Sequence, residues 1–463
     1  MATFYLRRFY LLIAIIIAIP ASCLYAQQHL SLQNLIDATR KNLPVLQQKQ
    51  TLINASKASI TEVKHSFLPQ VKFSEQLNIG SNNSMATTFF TFGITPSTSG
   101  GIRGENSLQP VTANVGVLYS EYELANFGFN NARLNLAKAN VSLQEADLQK
   151  EQYLVDVEVA KLYFNILKYQ YKLNADKQNV ERYQSIFTII QALTVSGIKP
   201  GADSALAKAE LSKTKIVYNQ TLGKINQQKQ QLAYYTGIAS ERLFLDTLSN
   251  NSINAKLTTI QFAMDTLSNP MVDYYAKRKS IFTANEAVIK KSYLPKILLA
   301  SSLWARGSSI QFNDQYKSLA TGLGYQRFNY AVGFAFTYNL FNGLYKKDKL
   351  AINRYQTQAS DFELQQQKLA INSLSLQADN ALQVTQANLL ELPVQLQSAQ
   401  ATFAQKTAQY KAGLISLIDL TNASFVLYRS QTDYIETLSD WYLAQLDKAA
   451  ATGNLNQFIQ TIK

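Results

Sequence analysis

Few side chains in this chain are equipped for covalent or acid–base chemistry, and the spacing of those few points to helix ends. The only histidines are His29 and His65, and the single cysteine, Cys23, lies in an apolar N-terminal stretch. Nucleophilic catalysis needs a nucleophile beside a base, and a metal site needs several ligands at fixed spacing. The sequence holds no metal-ligand cluster, no glycine-rich phosphate loop and no serine elbow. His65, just before Pro69, reads as a surface or packing residue. The reading is therefore no enzyme: no catalytic residue, no metal and no cofactor. Two carboxylates do recur at matched spacing, since Asp203 lies six residues after Gly197 and Asp419 six after Gly413. Ser416-Leu-Ile-Asp419 fits a capping box, and Asp203 is placed to cap a helix beginning DSALAKAEL.

That matched spacing belongs to a larger pattern. Pro44 and Pro69 reappear as Pro270 and Pro295, each displaced by 226 residues. Phe127 has its counterpart in Phe341, displaced by 214, while Gly197 and Gly237 match Gly413 and Gly453, both displaced by 216. Landmarks in one order at nearly constant offset indicate a tandem duplication, which fixes the architecture. Each copy reads helix, strand, long polar loop, strand, very long helix, tight turn, long helix.

The elements follow from composition and period. Between Gly128 and Gly197 no glycine or proline interrupts 68 residues, enough for a helix of roughly 100 Å. Apolar residues recur at three- and four-residue steps (Val155, Val159, Leu162, Ile166, then Tyr183, Ile186, Phe187, Ile190), the spacing of a packed helical seam. In the second copy Pro393 predicts a kink. Elsewhere Phe328, Tyr330, Val332, Phe334, Phe336, Tyr338 and Leu340 alternate with small or polar residues, a period-two strand with one heavy aromatic face. Val111, Ala113, Val115, Val117 and Tyr119 read as the same bulky face in the first copy, and Val71, Phe73, Leu77 and Ile79 precede them, with Glu75 a blemish. Such segments suit strands of a membrane barrel.

The expected domains are a signal peptide at 1–26, a first repeat at 27–245, a connector at 246–266, a second repeat at 267–455 and a tail at 456–463. Strands are expected at about 70–80, 110–122, 296–306 and 328–341, and long helices at about 128–194, 203–236, 343–411 and 418–451. Arg7 and Arg8, the run Leu11 to Ile19 and small residues ending at Ala26 make the leader, with cleavage after Ala26. Pro20-Ala21-Ser22-Cys23 offers a lipoprotein site instead, but Pro20 stands where such sites carry leucine. Cleavage after Ala26 leaves no cysteine and lowers the net charge from +13 to +11. Dispersed lysines read as solvated helix faces, and no nucleic-acid partner is expected.

Four strands cannot close in a bilayer, because their edges would leave unpaired backbone groups in hydrocarbon. Several chains must share one barrel, and three give 12 strands under cyclic symmetry. The paired prolines of NLP…SFLPQ and SNP…SYLPK carry a family resemblance. So do the Phe-Gly and Phe-Asn-Gly starts of the long helices and the segments GIKPGAD and YKAGLISLID. Over about residues 30–455 the chain resembles the TolC-like outer-membrane efflux proteins. The resemblance implies a mostly α fold with a small β part. As a homotrimer it would form a 12-stranded barrel in outer-membrane lipid, continuous with a periplasmic α-helical barrel. It also implies passive export for a tripartite efflux or type I secretion system, docked to a periplasmic adaptor (membrane fusion) protein and an inner-membrane transporter.

The same resemblance assigns site residues. Asp419 takes the place of a pore-constricting carboxylate and Asn422 that of a second one, here without charge. Mutual repulsion around the axis should raise the Asp419 pKa. Tyr410 takes the place of a tyrosine that holds the tip closed, with Asp203 near its partner site, and Ile415 stands where some members carry a basic residue. Gly197, Ile198, Gly413, Leu414 and Ser416 form the adaptor-docking tip. A secreted coiled-coil structural or adhesin protein is the alternative, its alternating segments packed on helices.

Overall fold

The computed structural model describes residues 30–83, 104–245 and 269–462. The leader with Cys23, His29, the connector and most of the first polar loop lie outside the described residues. In chain order the elements are α1 (Leu32–Asn42), α2 (Pro44–His65), β1 (Gln70–Gly80), β2 (Val111–Ala125), α3 (Phe129–Val195), α4 (Gly201–Thr236), α5 (Pro270–Ser292), β3 (Lys296–Ser308), β4 (Arg327–Thr337), α6 (Asn342–Lys411), α7 (Leu417–Thr452) and α8 (Leu455–Thr461). Among the described residues one compact unit comprises 30–51, 146–245, 269–275 and 363–462, and the other 52–83, 104–145 and 276–362. The duplication is visible in the elements. Pro44 and Pro270 open α2 and α5, where the missing N–H is harmless. Pro69 and Pro295 directly precede β1 and β3. Helix α6 continues through Pro393 without ending there.

In the unit that holds the sheet, the strands run antiparallel in the order β1-β2-β3-β4. Directly opposed residues share a face, so the register sorts the side chains. Val71, Phe73, Leu77 and Ile79 of β1 share a face with Leu118 of β2, Leu299 and Leu303 of β3, and Phe328, Tyr330, Val332, Phe334 and Phe336 of β4. Phe73, Phe328 and Phe334 are 70%, 76% and 74% exposed. The structural-scaffold alternative requires helices packed over them, and among the described residues only the short strap that follows β3 crosses this face, at its loop end. The register also corrects one expectation. Val111, Ala113, Val115, Val117 and Tyr119 lie on the opposite face, with Lys72, Ser74 and Asn329. The alternation in β2 was real, but valine and alanine also suit a polar-side strand, so the alternation alone could not tell inside from outside.

Residues 309–326 fold back as a strap over the loop end of the aromatic face. Thr112 donates its hydroxyl to the Leu319 carbonyl, and the Asn114 amide donates to the Leu323 carbonyl at 2.7 Å. The Tyr325 hydroxyl donates to the Glu75 carboxylate, which accounts for the one charge in that face. Close approach explains the glycines beneath. A Cβ on Gly116 would stand 2.3 Å from the Tyr325 hydroxyl, and one on Gly307 2.0 Å from the Gly324 carbonyl.

The other unit packs a helical core in which Leu32, Leu35, Ile36, Val159, Ile166, Leu232, Leu446 and Phe458 are essentially inaccessible. The last residues, set apart in the sequence as a tail, include most of α8, which buries Phe458 and Ile459 in that core. One device recurs in both copies. The Asn42 amide donates to the Thr236 carbonyl at 2.8 Å, and the Asn269 amide to the Ala450 and Ala451 carbonyls at 3.2 Å. Each satisfies carbonyls left unpaired at the end of a return helix, beside a left-handed glycine cap, Gly237 or Gly453.

Candidate docking and gating tip

Two turns with the same hydrogen bonds end the long helices. Gly197 and Gly413 have φ of 74° and 75°. The Ile198 amide donates back to the Leu193 carbonyl at 2.9 Å, and the Leu414 amide to the Gln409 carbonyl at 3.0 Å. This six-residue closure needs a left-handed residue. A Cβ at either glycine would meet nothing within 4 Å, so backbone conformation alone selects glycine here. The turns present Ile198 and Leu414 to solvent, 66% and 75% exposed. Val195 and Ile418, which the sequence did not single out, are exposed beside them. The two turns thus present four apolar side chains to water.

The second halves of the turns differ. Helix α7 starts with a complete capping box. The Asp419 amide donates to the Ser416 hydroxyl at 3.2 Å, and the Ser416 amide donates to the Asp419 carboxylate at 3.1 Å. In the first copy α4 starts at Gly201 with Pro200 at the N-cap and no side-chain cap. Asp203 therefore sits inside the first turn, where a carboxylate complements the helix dipole, and does not cap the helix as expected. The chain's own contacts also act on Asp419 against the expected rise in pKa. The Ser416 hydroxyl, then its amide, hold this carboxylate below the usual range, with Lys406 assisting. Asp419 and Asn422 are both exposed, one turn apart on α7.

Behind the turns Tyr410 enters a core of Tyr183, Ile186, Ile190, Ala207, Leu211, Leu417 and Leu420, with Ile415 packed against it. The Tyr410 hydroxyl is buried without a hydrogen-bond partner among the described residues. Burial first, and the nearby Asp203 charge second, push the phenol's pKa up. Sequence reasoning noted the missing base at Ile415 but overlooked Lys199, whose ammonium lies 5.7 Å from the Tyr410 ring centroid. It also missed a polar seam joining α3 to α7. The Tyr428 hydroxyl donates to the Asp176 carboxylate at 2.6 Å and accepts from Lys172 at 3.3 Å. The Arg182 guanidinium donates to Asn179 at 3.1 Å and Gln431 at 3.2 Å. Lys172, Asp176 and Asn179 repeat at four- and three-residue steps, the signal that could have found them.

Among the described residues no group of three or more His, Cys, Asp or Glu could hold a metal ion. No helix among them is long and apolar enough to cross a membrane. What the tip offers chemically is an apolar rim, an exposed carboxylate on a capped helix and a buried phenol.

Comparison with known proteins agrees with the resemblance read from the sequence. Residues 35–238 match the family described as outer membrane efflux protein. No curated protein matches the chain. Among solved structures the chain is similar to CusC, with a TM-score of 0.74 at 15% identity, covering 91% of this chain and 92% of that one. It is similar to the outer-membrane channel OprN, with a TM-score of 0.72 at 18% identity, covering 91% and 90%. It is also similar to the outer membrane protein VceC of Vibrio cholerae, with a TM-score of 0.71 at 14% identity, covering 91% and 96%. The chain thus has the fold of these channel proteins, and its first repeat carries the efflux-protein sequence pattern.

Proposed function

We propose that this chain, a TolC-like outer-membrane efflux protein by sequence pattern and fold, is one protomer of a passive export duct. The observation that carries this reading is the sheet. Beyond the strap its aromatic face is exposed, and among the described residues its outer strands β1 and β4 each have a free edge. Bare phenylalanines suit hydrocarbon, and free edges in hydrocarbon demand pairing with further strands. Three copies close a 12-stranded barrel of ordinary kind. Helices of 67 and 70 residues are far longer than a bilayer needs, and continue the duct into the periplasm.

The residues then divide the work. The aromatic face holds the barrel in outer-membrane lipid, and the polar face lines a water-filled passage. The turns at Gly197 and Gly413 dock a periplasmic adaptor through Ile198, Leu414 and Ser416, and the adaptor links the duct to an inner-membrane transporter that supplies the energy. Asp419, with Asn422 beside it, narrows the tip around the axis, while Tyr410 and Asp203 hold the tip closed. The transporter selects the substrate, whether of the efflux or the type I secretion kind. Mass measurement of protein purified in detergent should give three chains per particle. A stable water-soluble monomer would overturn the reading.

A further inference from the structure

The polar face of the sheet carries its charges unevenly. Toward the helix end both signs are present, with Lys72 of β1 opposite Tyr119. Lys296 lies 3.6 Å from Glu123, and Tyr119 donates its hydroxyl to Glu121 at 2.9 Å. At the loop end Arg306 of β3 stands directly opposite Arg327 of β4, which places their Cβ atoms about 5 Å apart on one face. The residue opposite Arg306 on β2 is Val115, and beyond it on β1 is Gln76. The diagonal neighbours Ala113, Val117 and Asn329 carry no charge either. Among the described residues Arg306 has no ion-pair partner. The Arg327 guanidinium donates to the Gln326 carbonyl at 2.9 Å, a neutral acceptor. Both side chains are exposed. Like charges directly opposed on a sheet destabilise it, and among the described residues neither arginine forms an ion pair with an acid.

We propose that Arg306 and Arg327 form an oxyanion-binding site for multivalent phosphate-bearing solutes at the outer end of the sheet's polar face. The site rests on the duct reading, which turns this face to the passage. Two guanidinium forks side by side can each grip phosphate oxygens in a bidentate manner, and a bound anion removes the cross-strand repulsion. In a trimer six such groups share one mouth and raise the local anion concentration. The register fixes the source of the ligand. Phe328 and Val332, which would meet lipid, lie on the other face, so the ligand is dissolved and not a lipid headgroup.

Tripolyphosphate is the probe, titrated calorimetrically into full-length protein in detergent at moderate salt. Wild type should bind it. Arg306→Gln/Arg327→Gln should weaken binding by about tenfold or more, and Lys296→Gln at the other end should not. Without polyanion the double variant should be at least as heat-stable as wild type, since a repulsion has gone. No binding to wild type, or equal binding to the double variant, overturns the site. Two cysteine probes in a Cys23→Ser background test the reading beneath it. In liposomes a water-soluble maleimide should label Asn329→Cys and spare Val332→Cys. If that pattern is reversed, the duct reading falls and the site with it. If the pattern holds while tripolyphosphate affinity is unchanged in the double variant, the arginine site alone falls.

Discussion

Ser416 and Asp419 hold each other across the first turn of α7, the serine hydroxyl accepting from the aspartate amide at 3.2 Å and the carboxylate accepting from the serine amide at 3.1 Å. Ser416→Ala should cost about 1 kcal/mol through loss of the cap, seen as a lower midpoint in thermal melts. The carboxylate's pKa is lowered first by the Ser416 hydroxyl, which donates to it at 2.7 Å, and then by the Ser416 amide. Its contribution is therefore complete above the ordinary carboxylate range, near pH 4, and is lost as pH falls below it. A melt series from neutral pH to pH 3 should show the Ser416→Ala deficit shrinking at the acid end.

Asp419→Asn separates the two roles given to this residue. If three carboxylates converge on the axis, single-channel recordings should show weaker cation selectivity and weaker block by multivalent cations. Because Asn422 adds no charge, the change should be modest. Lower stability with selectivity and block intact would leave Asp419 as a helix cap only. Neutralising Asp203 should alter closure more than selectivity.

The docking role proposed for the turns can be tested in two steps. Gly413→Ala meets no neighbour, so its cost should be the left-handed strain alone, about 1–2 kcal/mol, read from denaturant melts. Gly413→Trp should abolish capture of the adaptor in a pull-down while trimers still assemble. Unchanged capture would place docking elsewhere.

Tyr410→Phe removes a hydroxyl that has no partner among the described residues. Stability should stay within about 1 kcal/mol of wild type. If the assembled tip uses that hydroxyl for closure, conductance should rise. Equal conductance would remove Tyr410 from the gate.

Tyr428→Phe should act differently, although the substitution is the same. The Tyr428 hydroxyl is the donor to Asp176, which is only 1% exposed. Losing it leaves a buried carboxylate oxygen unpaired at about 1–3 kcal/mol. Chemical denaturation of the two variants side by side would show the contrast.

Much of this was legible because glycine and proline mark backbone events. Gly197, Gly237, Gly413 and Gly453 all take positive φ, and the prolines open elements at matching places. The capping box was legible because its two residues are three apart. Asp203 misled because proline and glycine just upstream started α4 early, and only backbone geometry shows that. The facing of β2 depends on its register with β1 across the long polar loop and with β3 almost 200 residues further on, and no local pattern contains it. Lys199 beside Tyr410, and Tyr428 beside Asp176, are likewise contacts between distant helices.

The free edges of β1 and β4 also bear on how the protein comes to exist. Helix turns close locally and fast, so α3, α4, α6 and α7 can form in each newly made chain alone. On the duct reading the sheet is completed only when other chains arrive, and until then its edges and aromatic face invite aggregation. Maturation of the barrel should therefore depend on chain concentration while helix formation does not. An excess of protomers at low membrane supply would be lost to precipitation or proteolysis. Expression level, more than intrinsic stability, would then set the yield of working ducts.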